Sequence, residues 1–187
     1  MENDLSELEP ITGAYWVEEG RLLAGKYPGT ADERQARSRV RWLLSCGVDF
    51  YLDLTQAGEY GLLPYADWLA EEAVRIGKNI IHRRIPIGDY TTPPIGDMLL
   101  ILDTLDGALQ EGHVVYLHCF GGKGRTGTVV GCYLVRRGMD GLAALERIAA
   151  LREGAPDITM PSPETEEQRQ FVLGWKEEDH AHHIRGF

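Results

Sequence analysis

The residues of this sequence that could perform covalent chemistry are concentrated in one glycine-rich segment. The segment reads His118-Cys119-Phe120-Gly121-Gly122-Lys123-Gly124-Arg125-Thr126-Gly127. A cysteine thiolate is a strong nucleophile, and the planar guanidinium of an arginine six residues later can bind two oxygens of one phosphate. The glycines let successive backbone N–H groups point inward at the start of a helix, which favours both a phosphate group and the thiolate form of Cys119. The pattern predicts that Cys119 attacks a phosphate ester bound by Phe120, Gly121, Gly122, Lys123, Gly124 and Arg125.

Two neighbours of the cysteine have supporting roles in this interpretation. Thr126 can donate its hydroxyl to the Cys119 thiolate when the thiolate leaves in a second step. His118 can hold the loop and the cysteine through hydrogen bonds. The segment is not a Walker loop, because Lys123 is followed by Gly124 where that motif requires serine or threonine.

The loop resembles the H-C-x-x-G-x-x-R-[ST]-G signature of the protein tyrosine and dual-specificity phosphatase superfamily. It is most similar to the H-C-x-G-G-x-G-R-S form of the cyclin-dependent-kinase-associated phosphatase group. The resemblance covers residues 48–172 of the chain. It implies hydrolysis of phosphate monoesters through a cysteinyl-phosphate intermediate, with no metal and no cofactor.

An ester's leaving oxygen also needs a proton from an acid on another segment. Asp89 follows Ile85-Pro86-Ile87-Gly88 at the end of a predicted strand. The resemblance places the general acid on such a loop, so it implies that Asp89 protonates the leaving group and later deprotonates water. The alternative is that Asp89 only caps a turn. Gln168 resembles a glutamine that positions water in some members of the family, although a glutamine on a helix surface would explain the same residue.

The loop gives two indications about the substrate. The sequence has no N-R-Y-type loop of the kind that deepens the pocket of classical tyrosine phosphatases. Lys123 matches one lysine of the C-K-x-G-K-G-R-T loop of enzymes resembling the tensin homologue, but Phe120 replaces the other. We expect phosphotyrosine or mixed phosphoprotein substrates, with inositol phosphates or phosphoinositides as the alternative. An inactive module that only binds phosphorylated partners is an alternative of another class.

The segments around the loop alternate between helix and strand patterns. A hairpin is predicted from residues 14–17 and 21–25. Further strands are predicted at 48–54, 80–87 and 114–117, and helices at 32–46, 65–76, 93–112, 125–137, 142–151 and 163–175. Strands separated by helices predict a single α/β domain, with a mostly parallel sheet flanked by helices on both faces, as in dual-specificity phosphatases. We expect an N-terminal tail at 1–12, the phosphatase domain at 13–176 and a C-terminal tail at 177–187.

The composition excludes several other classes. The net charge of −10 disfavours nucleic-acid partners and anionic membranes. No segment approaches the roughly 18 apolar residues of a membrane span, and the acidic start lacks the pattern of a secretory signal, so we expect a cytoplasmic protein. Cys46 and Cys132 have no arginine six residues later, and the three cysteines lack the spacing of a zinc site. The histidines near residues 179–183 are interpreted as part of a solvated end. The expected partner is a phosphorylated protein or a small phosphorylated substrate; the sequence specifies no other protein partner.

Overall fold

Five short strands form one sheet at the centre of the computed structural model, which describes residues 8–156 and 159–177. The strands are β1 (Tyr15–Glu18), β2 (Leu22–Gly25), β3 (Phe50–Asp53), β4 (Ile81–Arg84) and β5 (Val115–His118). Their order across the sheet is β1-β2-β5-β3-β4. β1 and β2 form an antiparallel hairpin, whereas β2, β5, β3 and β4 run parallel. The predicted hairpin and the predicted mostly parallel sheet are both confirmed.

Helices cover both faces of this sheet. In the described residues they are α1 (Glu33–Ser45), α2 (Ala66–Arg75), α3 (Ile95–Gln110), α4 (Gly124–Arg136), α5 (Gly141–Leu151) and α6 (Glu166–Leu173). Successive strand side chains point to opposite faces. Tyr51 and Tyr116 therefore pack in one core with α1 and α2, while Leu52 and Leu117 pack in the other with α3 to α6. The chain is a single α/β domain of the predicted class.

The last predicted helix is shorter than expected. The Thr165 side chain accepts a hydrogen bond from the Gln168 N–H, and the Gln168 side chain accepts one from the Thr165 N–H. This capping box satisfies backbone donors that a helix start leaves without partners. The helix consequently begins at Glu166 rather than at residue 163.

The spacing of apolar residues in this segment predicts that Ile95, Met98, Leu99, Leu102 and Leu105 share one buried face of α3 and that Asp97, Asp103 and Asp106 face solvent. Two of these assignments are wrong. Ile95, which was assigned to the buried face, is exposed because it is the first residue of α3. Asp106, which was assigned to the solvent face, lies against α4. Its carboxylate pairs with Arg136 and Arg137 at 2.9 and 2.7 Å.

The parallel register brings three loops to one edge of the sheet. Asp53 lies opposite His118 on one side and opposite Arg84 on the other, so β3, β4 and β5 end level with one another. The segments that follow these strands carry Glu59, Asp89 and Cys119, respectively. Ligands of α/β sheets bind at this carboxyl edge of the strands.

Some residues of the two predicted tails pack against the domain. Ile11 is buried in the core under α1 and α2, and the backbone N–H of Glu9 donates to the Ser38 hydroxyl at 2.8 Å. Near the other end, Glu177 accepts a hydrogen bond from Arg136 at 2.6 Å. The histidines at 180, 182 and 183 lie outside the described residues. Within 8–156 and 159–177, no helix is long and apolar enough to span a bilayer.

Candidate active site

Cys119 is buried at the point where β5 gives way to the glycine-rich loop, with only 2% of the residue exposed. The backbone N–H of Gly122 donates to the Cys119 Sγ at 3.3 Å. Gly122 has φ 71°, and a Cβ there would lie 2.6 Å from the carbonyl carbon of Gly25. Glycine is required for both the left-handed conformation and the close approach. The loop therefore bends back over the sulfur and directs a backbone donor at it.

The guanidinium of Arg125 is fully buried and makes many contacts. Its Nη1 and Nη2 atoms donate to the two carboxylate oxygens of Glu59, each at 2.8 Å. Nη1 also donates to the carbonyl oxygens of Ile87 at 3.1 Å and Leu54 at 3.4 Å, and Nη2 lies 3.0 Å from Oδ1 of Asp89. Burial alone would lower the pKa of Arg125, but the hydrogen bonds to Glu59 and nearby negative charges raise it above its usual value. The site thus contains a permanent cation in a fixed orientation.

Two buried donors beside the loop have no hydrogen-bond partner in 8–156 and 159–177. They are Nε of Arg125 and the hydroxyl of Thr126. Buried polar groups are nearly always hydrogen-bonded, so these two donors beside Cys119 are available to a ligand. The predicted hydrogen bond from Thr126 to Cys119 is not formed in this structure, because the hydroxyl is one of these unpaired groups.

Asp89 lies at the site, on the loop that follows β4. One carboxylate oxygen, Oδ1, faces Arg125, and the other, Oδ2, accepts a hydrogen bond from the Tyr60 hydroxyl at 2.7 Å. A quarter of the side chain is exposed, so the carboxylate can meet a substrate. The structure therefore places the Asp89 carboxylate next to the guanidinium of Arg125. The alternative of a simple turn cap does not describe these contacts.

Residues of the loop itself form part of the exposed rim. Phe120 is 44% exposed, and its ring lies 5.3 Å from the ring of Tyr60, which is 65% exposed. Lys123 lies on the side of the loop that faces the segment before α6. Its Nζ donates to the sulfur of Met160 at 3.1 Å, and its carbonyl oxygen accepts from the Ser162 hydroxyl at 2.9 Å. The rim next to Asp89 is therefore aromatic, and the lysine belongs to another part of it.

His118 is buried next to Cys119 and has partners on both ring nitrogens. Nδ1 lies 3.3 Å from the carbonyl oxygen of Cys119, which can only accept, so Nδ1 carries the proton. Nε2 then accepts from the Tyr65 hydroxyl at 2.6 Å. Burial lowers the pKa of His118 to about 4, although the charge of Asp53 acts in the opposite direction. At neutral pH the imidazole is therefore neutral and links Tyr65 to the backbone of the loop, consistent with the predicted holding role.

A buried carboxylate stands next to this histidine. Asp53 accepts from the backbone and hydroxyl of Thr55 at 2.8 and 2.6 Å, and from Arg84 at 2.8 Å. Burial would raise the pKa of Asp53, but the His82 imidazole, whose Nε2 lies 3.4 Å from Oδ2 of Asp53, and the other partners hold that pKa below its usual range. The carboxylate oxygen lies 4.0 Å from Nδ1 of His118. Asp53 thus provides a fixed negative charge at the end of β3.

Gln168 does not lie on the surface of its helix, as the alternative interpretation of this residue required. It is fully buried, and its amide oxygen accepts from the backbone N–H groups of Glu164 and Thr165. Its amide nitrogen donates to the carbonyl oxygen of Thr91 at 3.1 Å. A Cβ on Gly124 would lie 3.0 Å from the amide oxygen, so the glycine is needed for this contact. Gln168 joins the start of α6 to the loop that carries Asp89.

The sequence interpretation missed Glu59 and Tyr60, which contact Arg125 and Asp89. A sequence signal for them exists, because they lie just beyond the carboxyl end of a predicted strand and in a segment rich in glycine, Gln56–Leu62. The signal does not identify the partners. Those depend on the order of strands in the sheet.

The fold and the loop define a cysteine-dependent phosphatase domain of the dual-specificity type. The chain belongs to the family described as Swiss Army Knife protein, DSP-PTPase phosphatase domain (PTP-SAK), which matches residues 12–172. This confirms the membership that the loop predicted.

Three known proteins illustrate the similarity. An uncharacterized protein of Methanocaldococcus jannaschii, MJECL20, is 36% identical over 48% of this chain and 55% of its own length. The phosphatidylinositol 3,4,5-trisphosphate 3-phosphatase and protein-tyrosine-phosphatase PTEN1 of Arabidopsis thaliana is 32% identical over 50% of this chain and 22% of its own length. The chain thus spans about half, or less, of these curated relatives. The crystal structure of kinase associated phosphatase has a TM-score of 0.74 at 21% identity, over 93% of this chain and 98% of that one, which shows a common fold.

Proposed function

We propose that this chain hydrolyses phosphate monoesters through a cysteinyl-phosphate intermediate. The observation that best supports this is a convergence of three groups from the ends of two strands, β5 for Cys119 and Arg125 and, beyond β3, β4 for Asp89. The loop over the Cys119 sulfur, the guanidinium of Arg125 and the carboxylate of Asp89 meet at the same edge of the sheet, with Arg125 and Asp89 3.0 Å apart. Each group meets a separate requirement of phosphoryl transfer: nucleophile, charge stabilisation and proton donor.

In the first step the Cys119 thiolate attacks phosphorus. The S–P bond forms, the P–O bond to the leaving group breaks, and protonated Asp89 gives its proton to the leaving oxygen. In the second step Asp89 accepts a proton from water as the water oxygen attacks phosphorus. The S–P bond then breaks, and the thiolate and inorganic phosphate are released.

Arg125 is the proposed phosphate ligand, together with the backbone N–H groups of residues 120–124. Glu59 accepts one hydrogen from each of the two terminal nitrogens of the guanidinium. The Nε hydrogen and the second hydrogen of Nη2 therefore form the remaining two-donor edge for phosphate oxygens. Because Glu59 and two backbone carbonyls already fix the arginine, little order has to be imposed when the phosphate binds. Thr126 and His118 are proposed as supporting residues: Thr126 through its unpaired hydroxyl and His118 through the loop backbone.

Among possible substrates we favour phosphotyrosine in proteins, with mixed phosphoprotein substrates in the same class. The exposed rings of Tyr60 and Phe120 stand next to Asp89, where an aryl leaving group would be protonated. Aromatic rings pack favourably against one another at such distances. The name of the Arabidopsis relative, which includes protein-tyrosine-phosphatase, is compatible with this choice.

Inositol phosphates or phosphoinositides are the second candidate. Lys123 adds a positive charge to the rim of the loop, and the same relative is also named as a phosphatidylinositol 3,4,5-trisphosphate 3-phosphatase. Phe120 weighs against this candidate, because an exposed aromatic ring replaces a cation at the position beside the nucleophile.

The test is hydrolysis of a panel containing phosphotyrosine, phosphoserine and phosphothreonine peptides, inositol phosphates and phosphoinositides in vesicles. We expect the phosphotyrosine peptide to be the best substrate, and activity confined to inositol compounds would overturn that choice. Cys119→Ser should abolish all turnover, while Cys46→Ser, a matched change outside the site, should leave it unchanged. Binding of phosphopeptides without turnover by the unaltered protein would instead identify an inactive phosphate-binding module.

We propose residues 13–176 as the catalytic unit, with 1–12 and 177–187 as its tails, of which Glu9, Ile11 and Glu177 pack against it. The extent of the family match, 12–172, supports these limits. A cytoplasmic location and a phosphorylated protein as partner are proposals that rest on the composition and on the site.

A further inference from the structure

The turn that follows β3 carries two adjacent side chains that contact two different groups of the site. Glu59 binds Arg125 through both carboxylate oxygens, and Tyr60 donates its hydroxyl to Asp89. Tyr60 has φ 51°, in the left-handed region that residues other than glycine rarely adopt. Such a conformation persists where the surrounding structure fixes it, and Tyr90, next to Asp89, shares it with φ 60°.

The donors of Arg125 show what a bound phosphate would displace. Nη1 donates to Glu59 and to the carbonyl of Ile87, and Nη2 is shared between Glu59 and Asp89. Nε is buried and unpaired among the described residues. A phosphate that binds the Nε and Nη2 edge therefore accepts a hydrogen bond from the Nη2 hydrogen that now faces Oδ1 of Asp89. After that exchange, the hydrogen bond from Tyr60 to Oδ2 is the remaining side-chain hydrogen bond of Asp89 within 8–156 and 159–177.

From these contacts we infer that Tyr60 is a positioning residue for the general acid. When substrate phosphate replaces Asp89 on Arg125, the Tyr60 hydroxyl holds Oδ2 and leaves Oδ1 to carry the proton to the leaving oxygen. The inference rests on the proposed function, since it presupposes that Asp89 is the acid. Tyr60 keeps its own proton throughout, so the two-step reaction described above is unchanged.

Two observations indicate that the hydroxyl can serve as a stable anchor. Its pKa is raised, mainly because it donates to the Asp89 carboxylate, so it remains a donor at neutral pH. The ring of Tyr60 packs at 5.3 Å from that of Phe120, which fixes the direction of the side chain. A change to phenylalanine would remove the hydroxyl and retain this ring contact.

The experiment compares leaving groups. A positioned acid matters most when the leaving group is basic and least when it departs readily as an anion. Tyr60→Phe should therefore reduce kcat/KM for phenyl phosphate by about tenfold, which is part of the roughly 10²–10⁴-fold that a general acid contributes. The same substitution should reduce kcat/KM for 2,4-dinitrophenyl phosphate by less than about twofold. Tyr90→Phe is the matched control, because Tyr90 is adjacent to Asp89, is exposed, and its hydroxyl has no hydrogen bond to the described residues. It should behave like the unaltered protein.

The double variant Tyr60→Phe/Asp89→Asn separates positioning from a general structural effect. If Tyr60 acts through Asp89, its substitution should add no leaving-group dependence once Asp89 is replaced. Tyr60→Phe could instead lower kcat/KM equally for both phosphates, or leave it unchanged for both. If turnover still requires Cys119 and Asp89, either result would overturn this inference and leave the proposed function intact. Turnover that is independent of Cys119 would instead refute the proposed function.

Discussion

The buried histidine that precedes Cys119 leads to a specific prediction about how stability depends on pH. His118 is fully buried and its pKa is lowered to about 4, compared with about 6.5 in an unfolded chain. The unfolded state therefore binds a proton first as the pH falls. The stabilisation is complete above the unfolded pKa of about 6.5 and is lost progressively as the pH falls to about 4.

The magnitude follows from the difference in pKa. Each unit corresponds to about 1.4 kcal/mol, so this histidine alone should remove about 3 kcal/mol of stability across the window. The groups facing it are Asp53, which favours protonation, and His82 and Arg84, which oppose it. Protonation of Nε2 would also remove the acceptor of the Tyr65 hydroxyl, so the contact that fixes the loop is lost at the same time.

The assay is urea unfolding of the unaltered protein and of His118→Asn at several pH values from neutral to acidic. The carboxylates common to both proteins largely cancel in the difference between the two free energies of unfolding. That difference should shrink by about 1.4 kcal/mol for each pH unit below about 6.5. Parallel curves would refute the reasoning, as would an NMR titration that places the pKa of folded His118 near its unfolded value.

Two further predictions concern the loop and its support. Gly122→Ala should destabilise the fold by about 2 kcal/mol or more and sharply lower turnover, because its Cβ would lie 2.6 Å from backbone carbon and the residue has φ 71°. Gly121→Ala, whose Cβ would only contact the Lys123 side chain at 3.6 Å, is the control in the same urea measurements, and equal losses of stability would contradict the argument. Gln168→Glu keeps the oxygen that caps α6 but places a carboxylate oxygen against the Thr91 carbonyl. It should lower the free energy of unfolding by about 1–2 kcal/mol and lower kcat for phenyl phosphate more than for 2,4-dinitrophenyl phosphate. Gln170→Glu makes the same charge change on the exposed side of α6, and a similar loss there would exclude a role for the contact with Thr91.

Much of the fold follows from local patterns. Alternation of strand and helix patterns predicted the α/β class, and most helix and strand bounds lie within a few residues of those observed. The exceptions have local causes, such as the capping box that delays the start of α6 until Glu166. The wrong assignment of Asp106 has a non-local cause, since its two arginine partners come from α4.

The residues of the candidate site also divide into those that local sequence could identify and those that depend on distant parts of the chain. Cys119 and Arg125 could be found from sequence because a strand, a loop and a helix that are continuous in the chain position them. Asp89 could be found because it follows a neighbouring strand and because the loop resembles a known signature. Gln168 was selected for one role, but its burial and its contact with Thr91 indicate another.

By itself, then, the sequence determined the loop from Cys119 to Arg125, whose geometry depends on residues adjacent in the chain and on glycines that permit its backbone. Only the tertiary structure decided what surrounds that loop. The order β5-β3-β4 places the turn after β3 between the loops that follow its two neighbours, and Glu59 and Tyr60 thereby reach Arg125 and Asp89. Such contacts join residues far apart in the chain, and no local spacing can specify them, because they depend on which strands pair and in which register.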